Sequence, residues 1–264
     1  MDFLLYLVDT YIVILLLRLL IKPNEAYFSP IYRLIYRITD PVIKLFSGLS
    51  RSLIWQGLLS VLVVVLLRGF IYASAGSAEL GIGIGASLME FFQLLFRVYV
   101  ALWLVMVLSQ WSFGGSPFAL LERAFHPFNR LSWRLRVRRN RYYLFVLLVL
   151  FGAYILLSGI VNFVLLGANT FEVFLPYGLL KALGLVLSLF PFPGFFSLVV
   201  IVGALLSWVS PDPSNPVVRA IYGLSEPLLA PFRRIIPLIG GLDLSPIVAL
   251  FCFEVIGKLG KLIP

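Results

Sequence analysis

Residues 215–246 read NPVVRAIYGLSEPLLAPFRRIIPLIGGLDLSP, a polar-flanked stretch between strongly apolar runs. A second version lies at residues 29–41, SPIYRLIYRITDP. Laying Pro30 on Pro216 brings Arg33 onto Arg219, Ile35-Tyr36 onto Ile221-Tyr222, and Thr39-Asp40-Pro41 onto Ser225-Glu226-Pro227. Ser29-Pro30 and Asn215-Pro216 each place an N-cap residue before a proline at the first helical position, where a missing N–H costs nothing. Arg219, Gly223 and Glu226 then fall at i, i+4 and i+7, opposite Val217, Ile221 and Leu224. Arg33, Arg37 and Asp40 repeat this against Ile31, Ile35 and Ile38. The pattern predicts a short amphipathic helix lying in a membrane interface. Asp40-Pro41 and Glu226-Pro227 are expected to end it and start a second helix, because proline pushes the preceding residue out of the α region.

Composition sets the surroundings of these motifs. The chain has 264 residues, 61% hydrophobic and 12% charged, against about 25% charged in soluble domains. With a mean hydropathy of +1.03, the apolar runs read as membrane spans. The net charge of +9 is read as arginine and lysine held in cytoplasmic loops, not as a nucleic-acid surface. One cysteine, Cys252, and one histidine, His126, leave no internal disulfide, thiolate metal site or paired haem ligands. No phosphate-binding loop is present, and Gly81-Ile82-Gly83-Ile84-Gly85 has the wrong spacing for a dinucleotide fingerprint. That run is expected to be a flexible or closely packed turn.

An all-α polytopic fold follows, with about six transmembrane helices and short interfacial helices between the spans of each repeat. The spans are placed at 3–21 (a first span, not a cleaved signal), 53–72, 90–112, 142–166, 195–209 and 246–260. Ser245 is expected to cap the last of these ahead of Pro246. Arg18 and Arg68 lie near span ends, where snorkelling is the simplest account. Segment 171–190 carries Lys181 at its middle. Treating it as re-entrant or interfacial puts loops 22–52, 113–141 and 210–245, which hold most of the basic residues, on the cytoplasmic side. The organisation is then 1–72, a first span–motif–span repeat; 90–166, a degenerate middle repeat containing Ser116-Pro117 and His126-Pro127; 167–194, the re-entrant or interfacial segment; and 195–264, the C-terminal repeat.

Candidate binding residues are Arg219, Glu226, Arg233, Arg234, Gly240, Gly241 and Asp243, with Arg33, Arg37 and Asp40 in the first copy. Arg233-Arg234 are either basic anchors in the interface or a docking surface for another protein or anionic lipid headgroups. Gly240-Gly241 form a tight turn or an anion-binding nest. Within the spans, Arg97, Asn162, Lys181 and Glu254 are the polar candidates, since an ionisable residue inside a membrane is a functional hypothesis by default. Glu254 has Lys258 one turn on as its simplest partner. No nucleophile–base pair or carboxylate dyad stands out, so an enzyme is not expected, and no cofactor or metal is implied.

The consecutive blocks EPLL, PFRRIIP and GGLDLSP, with LLKALG at 179–184 ahead of them, closely resemble the signature of the YggT (YlmG) family of bacterial and plastid membrane proteins. The resemblance covers roughly residues 195–260. The first copy departs from it, with Ser47-Gly48 where the arginine pair belongs. The resemblance implies a multi-pass bacterial inner-membrane protein without established catalysis. Family members are linked to osmotic tolerance and cation uptake, to cell division, and in plastids to cytochrome b6f haem assembly. The expected partners are the bilayer, its anionic headgroups and another membrane or cytoplasmic protein. The leading expectation is a scaffold or assembly factor; a transporter or channel component is the alternative.

Overall fold

The computed structural model of the chain describes residues 2–28, 30–50, 52–76, 79–112, 119–165, 171–209, 212, 215–236 and 243–262. Ser29, Ser116-Pro117 and Gly240-Gly241 lie outside the described residues, as does the side chain of Arg219. The described regular elements are helices: α1 (Asp2–Leu20), α2 (Pro23–Phe28), α3 (Pro30–Leu45), α4 (Leu53–Gly76), α5 (Leu80–Ser112), α6 (Ala119–Arg134), α7 (Tyr142–Leu165), α8 (Phe171–Leu187), α9 (Phe195–Val209), α10 (Pro216–Arg233) and α11 (Ser245–Lys261), with a 3₁₀ turn at Arg139–Arg141. The all-helical expectation holds. Among the described residues, three stretches are long and apolar enough to cross a membrane: Leu53–Ser74, Leu80–Val107 and Arg139–Leu165. Helix α9, with 15 residues, spans about 22 Å at 1.5 Å per residue, short of a hydrocarbon core of about 30 Å.

The chain divides into two compact units. The first comprises Met1–Leu94, Glu122–His126 and Leu157–Thr170. Its core joins Ile12 and Leu15 of α1, Ile43 of α3, and Val61 and Val65 of α4. Here the glycine-rich run departs from expectation: it is helical and belongs to the start of α5, ten residues before the predicted span. The reason is close packing. A Cβ on Gly83 would stand 2.6 Å from the Gly69 carbonyl oxygen, and one on Gly69 would stand 2.8 Å from the Ile84 Cα. Glycine at both positions lets the backbones of α4 and α5 touch, the use small residues serve between membrane helices. Ser87 adds a buried hydrogen bond across the same contact, donating to the Val65 carbonyl at 2.7 Å.

Helix α3 has three faces. Thr39 and Ile43 are buried with Tyr36 half-buried beside them; Leu34, Ile38 and Leu45 are exposed and apolar; Arg33, Arg37 and Lys44 are exposed and basic. One side is taken by protein, and the other two match the two media of a membrane interface.

The second unit comprises Leu95–Leu121, Pro127–Leu156 and Phe171–Pro264. Phe190 stacks on Phe196 and meets Phe253 edge-on, tying the start of α9 to α11. Phe96 of α5 packs on Phe151 and Tyr154 of α7. Helix α9 lies against α10 where Gly203 faces Ser225: a Cβ there would stand 2.6 Å from the serine hydroxyl.

The prolines are a second departure. Pro41 lies inside α3, and Pro227 and Pro231 lie inside α10, so neither motif breaks into two helices. A proline costs an internal helix a hydrogen bond and some strain. Burial of Leu228 and Leu229 on one side of Pro227, and of Ile43 beside Pro41, supplies the offset. Ser245 is a third departure: it is already the first residue of α11 and makes no side-chain cap.

Candidate functional site

In the C-terminal motif, α10 carries Glu226 and Arg233 on one face, seven residues apart. Arg233 closes a clamp there: Nη1 donates to Glu226 Oε2, and Nε donates to Asp243 Oδ2 at 2.7 Å. The other oxygen of Asp243, Oδ1, accepts the Ser245 backbone N–H at 2.9 Å. Asp243 thus does the capping expected of Ser245, as a carboxylate near a helix N-terminus should. One guanidinium fastens the end of α10 to the start of α11.

Charge balance in the clamp follows from this geometry. Burial works against the Arg233 charge, but the hydrogen bonds to Glu226 and Asp243 outweigh it and lift its pKa above the usual arginine value. Burial likewise opposes the Asp243 charge, while hydrogen bonds from Ser245 and Arg233 prevail and hold it below the usual carboxylate value. Arg233 and Arg234 are both exposed. Arg233 is engaged as a structural tie, whereas Arg234 stands next to Ile235, which is 79% exposed.

The first motif is held differently. Its position equivalent to Glu226, Asp40, receives Arg18 from α1 at 3.5 Å and Lys44 at 3.6 Å. The Arg18 guanidinium lies over the Tyr36 ring, 3.2 Å from its centroid, as arginine favours on aromatic faces. Arg18 is 8% exposed, so it does not snorkel outward; it docks α3 onto α1. The Tyr36 hydroxyl donates to the Ile21 carbonyl at 3.1 Å. On the neighbouring connection, Arg123 of α6 pairs with both oxygens of Glu25 and donates to the Leu20 carbonyl at 2.9 Å. The Arg123 hydrogen bond holds the Glu25 carboxyl below its usual range.

Between α1 and the span-length helices α4 and α5 the structure assembles a cluster that composition and spacing did not single out. Arg68 of α4 is 2% exposed. It donates to Asp9 of α1 at 2.6 Å and pairs with Glu90 of α5. The Tyr72 hydroxyl bridges, donating to Glu90 at 2.7 Å. Because α4 continues to Gly76, Arg68 sits about two turns inside the helix, too deep to be an end residue. The available signal was a lone acid in one apolar run and a lone arginine in the next, a complementary pair in a medium where isolated charges are costly.

The predicted intramembrane candidates find local partners. Asn162 donates to the Ser158 carbonyl one turn back at 3.1 Å. Lys181 lies 5.6 Å from the centre of the Tyr177 ring. Glu254 accepts the Phe192 N–H at 2.8 Å, so its partner is the turn before α9 and not Lys258. Arg97 is half-buried on α5. Arg33 and Arg37 stay exposed on α3.

The family model described as CCB3/YggT matches residues 178–261. An uncharacterized protein of Pseudomonas aeruginosa is 46% identical over 74 residues, covering 28% of this chain and 36% of the relative. One from Haemophilus influenzae is 38% identical over 96 residues, 36% of this chain and 47% of the relative. The uncharacterized protein YggT of Escherichia coli is 41% identical over 58 residues, 22% and 30% of the two chains. The chain spans less than half the length of these curated relatives, and no solved structure matches it. The matched stretch contains Glu226, Arg233 and Asp243 together, and over it the chain is similar to the CCB3/YggT family.

Proposed function

We propose that this is a non-enzymatic, multi-pass protein of the bacterial inner membrane, a scaffold or assembly factor that works through its motif surfaces. In this reading α1, α4, α5, α7, α9 and α11 make six crossings, with the bilayer thinned around the short α9, α8 is re-entrant or interfacial, and α3, α6 and α10 lie at the cytoplasmic face. The observation that carries it is the clamp. Arg233 spends its hydrogen bonds internally on Glu226 and Asp243, which presents Arg234 and Ile235 on a stiffened turn. A basic group beside an exposed aliphatic one, held in place before binding, suits a protein partner or an anionic headgroup at the membrane surface. The context is cell division, osmotic tolerance or cytochrome assembly, as for the resembled family.

Photocrosslinking in cells from position 235, compared between wild type and Arg234→Glu, tests the reading. The crosslinked species should be discrete and should disappear in the variant. Identical crosslinking in both would remove the motif surface from the function. A topology reporter fused after Pro264 should lie outside the cytoplasm, and a cytoplasmic signal would overturn the six-crossing arrangement.

A transporter or channel component is the second reading, favoured by the cluster of Asp9, Arg68, Tyr72 and Glu90. Buried ionisable groups line ion pathways in many membrane proteins. Ion flux in reconstituted liposomes that is abolished by Glu90→Gln would place it first; absence of flux from the wild-type protein would dismiss it.

A further inference from the structure

A cavity of about 350 Å³ opens in the first unit between the end of α1, the C-terminal half of α3, the start of α4 and the α6 segment at 122–126. Its polar lining is basic: Arg18, Lys22, Arg123 and His126, with no carboxylate among the lining residues. The acids nearby, Asp40 and Glu25, face the cavity's arginines from α3 and α2 and fix their positions. Two arginines held in place by these acids, with Lys22 beside them, line the cavity with cationic groups suited to an anion.

The size and the remaining walls say which anion. A water molecule occupies about 30 Å³, so inorganic phosphate would fill only a small part of this space. The rest of the lining is mostly aliphatic and includes Ile43, Leu53 and Ile54. Leu53 and Ile54 are 49% and 62% exposed, and Trp55 beside them is 62% exposed. Together they make an apolar track from the cavity onto the first turn of α4, ending on a residue type enriched at the membrane–water boundary. We propose that this cavity holds the phosphodiester headgroup of an anionic phospholipid, with Arg18, Lys22 and Arg123 around the phosphate and the acyl chains leaving along Leu53 and Ile54. The bound lipid fastens α3 to the bilayer at a place separate from the Arg234 surface of the second unit.

The test uses the full chain in mild detergent, with native mass spectrometry reading lipid retention. Phosphatidylglycerol should be retained as one molecule per chain, well above phosphatidylcholine of the same acyl length. Lys22→Gln/Arg123→Gln should weaken retention roughly thirtyfold, from the attraction each cation loses. Ile54→Trp, which narrows the track without removing charge, should also weaken it, and it carries the test if the charge variant loses helicity. Arg234→Gln should retain lipid like the wild type, so failure here and failure of the motif-surface reading are separable. Equal retention of phosphatidylcholine would overturn the proposal, as would undiminished phosphatidylglycerol in both variants. Displacement by inorganic phosphate at concentrations comparable to the lipid would mean a free-anion site and would also overturn it.

Discussion

Replacing Arg68 with glutamine tests the physical reading of the first unit most sharply. The guanidinium is 2% exposed and faces two carboxylates, Asp9 at 2.6 Å and Glu90, with Tyr72 bridging. Taking it away leaves two acids close together in an apolar helix contact with no cation between them. Breaking a buried ion pair from one side costs about 3–5 kcal/mol, mostly the penalty of the charge left behind. The side chains of Asp9 and Glu90 are 31% and 40% exposed, which places the loss at the lower end, about 3 kcal/mol. Equilibrium unfolding in mixed micelles, followed by helical circular dichroism, measures it. Asp9→Asn/Glu90→Gln in the Arg68→Gln background should recover more than half, since neutral partners no longer repel, and the thermodynamic cycle isolates the coupling. Arg68→Gln within about 0.5 kcal/mol of wild type, the range of an ordinary surface substitution, would mean that the Arg68 cluster does not hold the first unit together. So would the absence of any recovery.

Two further outcomes follow from local geometry. Glu25 and Asp243 have carboxyl pKa values depressed in the folded state, so their stabilisation is present above the unfolded carboxylate pKa and lost as pH falls through the folded value. Thermal unfolding should therefore change little at neutral pH and decline on acidification below the ordinary carboxylate range, with a smaller decline in Asp243→Asn. Gly83→Ala should destabilise by about 1–3 kcal/mol as overpacking of α4 on α5. Gly81→Ala, where a Cβ would have nothing within 4 Å, should instead stabilise by about 0.5–1 kcal/mol, and the same micelle unfolding separates the two.

Helix content, the positions of the apolar helices and the amphipathic character of the motifs were legible in the chain, because each rests on local periodicity and composition. Predicted spans at 53–72 and 142–166 became α4 and α7 with shifts at their ends. Proline was misleading for the same local reason. The rule that it ends a helix describes an isolated chain, whereas Pro41 and Pro227 sit beside buried side chains that hold the helix through them. Likewise, the glycine run at 81–85 reads as a turn until its partner helix supplies the backbone it packs against.

The clamp in residues 215–246 draws the same line. Composition and periodicity place Glu226, Arg233, Arg234 and Asp243 in one short amphipathic motif between apolar helices. The folded chain brings Arg233 onto Glu226 and Asp243 and leaves Arg234 beside the exposed Ile235. Two adjacent arginines are alike in charge and chemistry. They are separated by the hundred-degree step between neighbouring positions on a helix and by where the folded chain places the two carboxylates. The same holds for Asp9, Arg68 and Glu90, which are far apart in sequence and meet only once α1, α4 and α5 have packed.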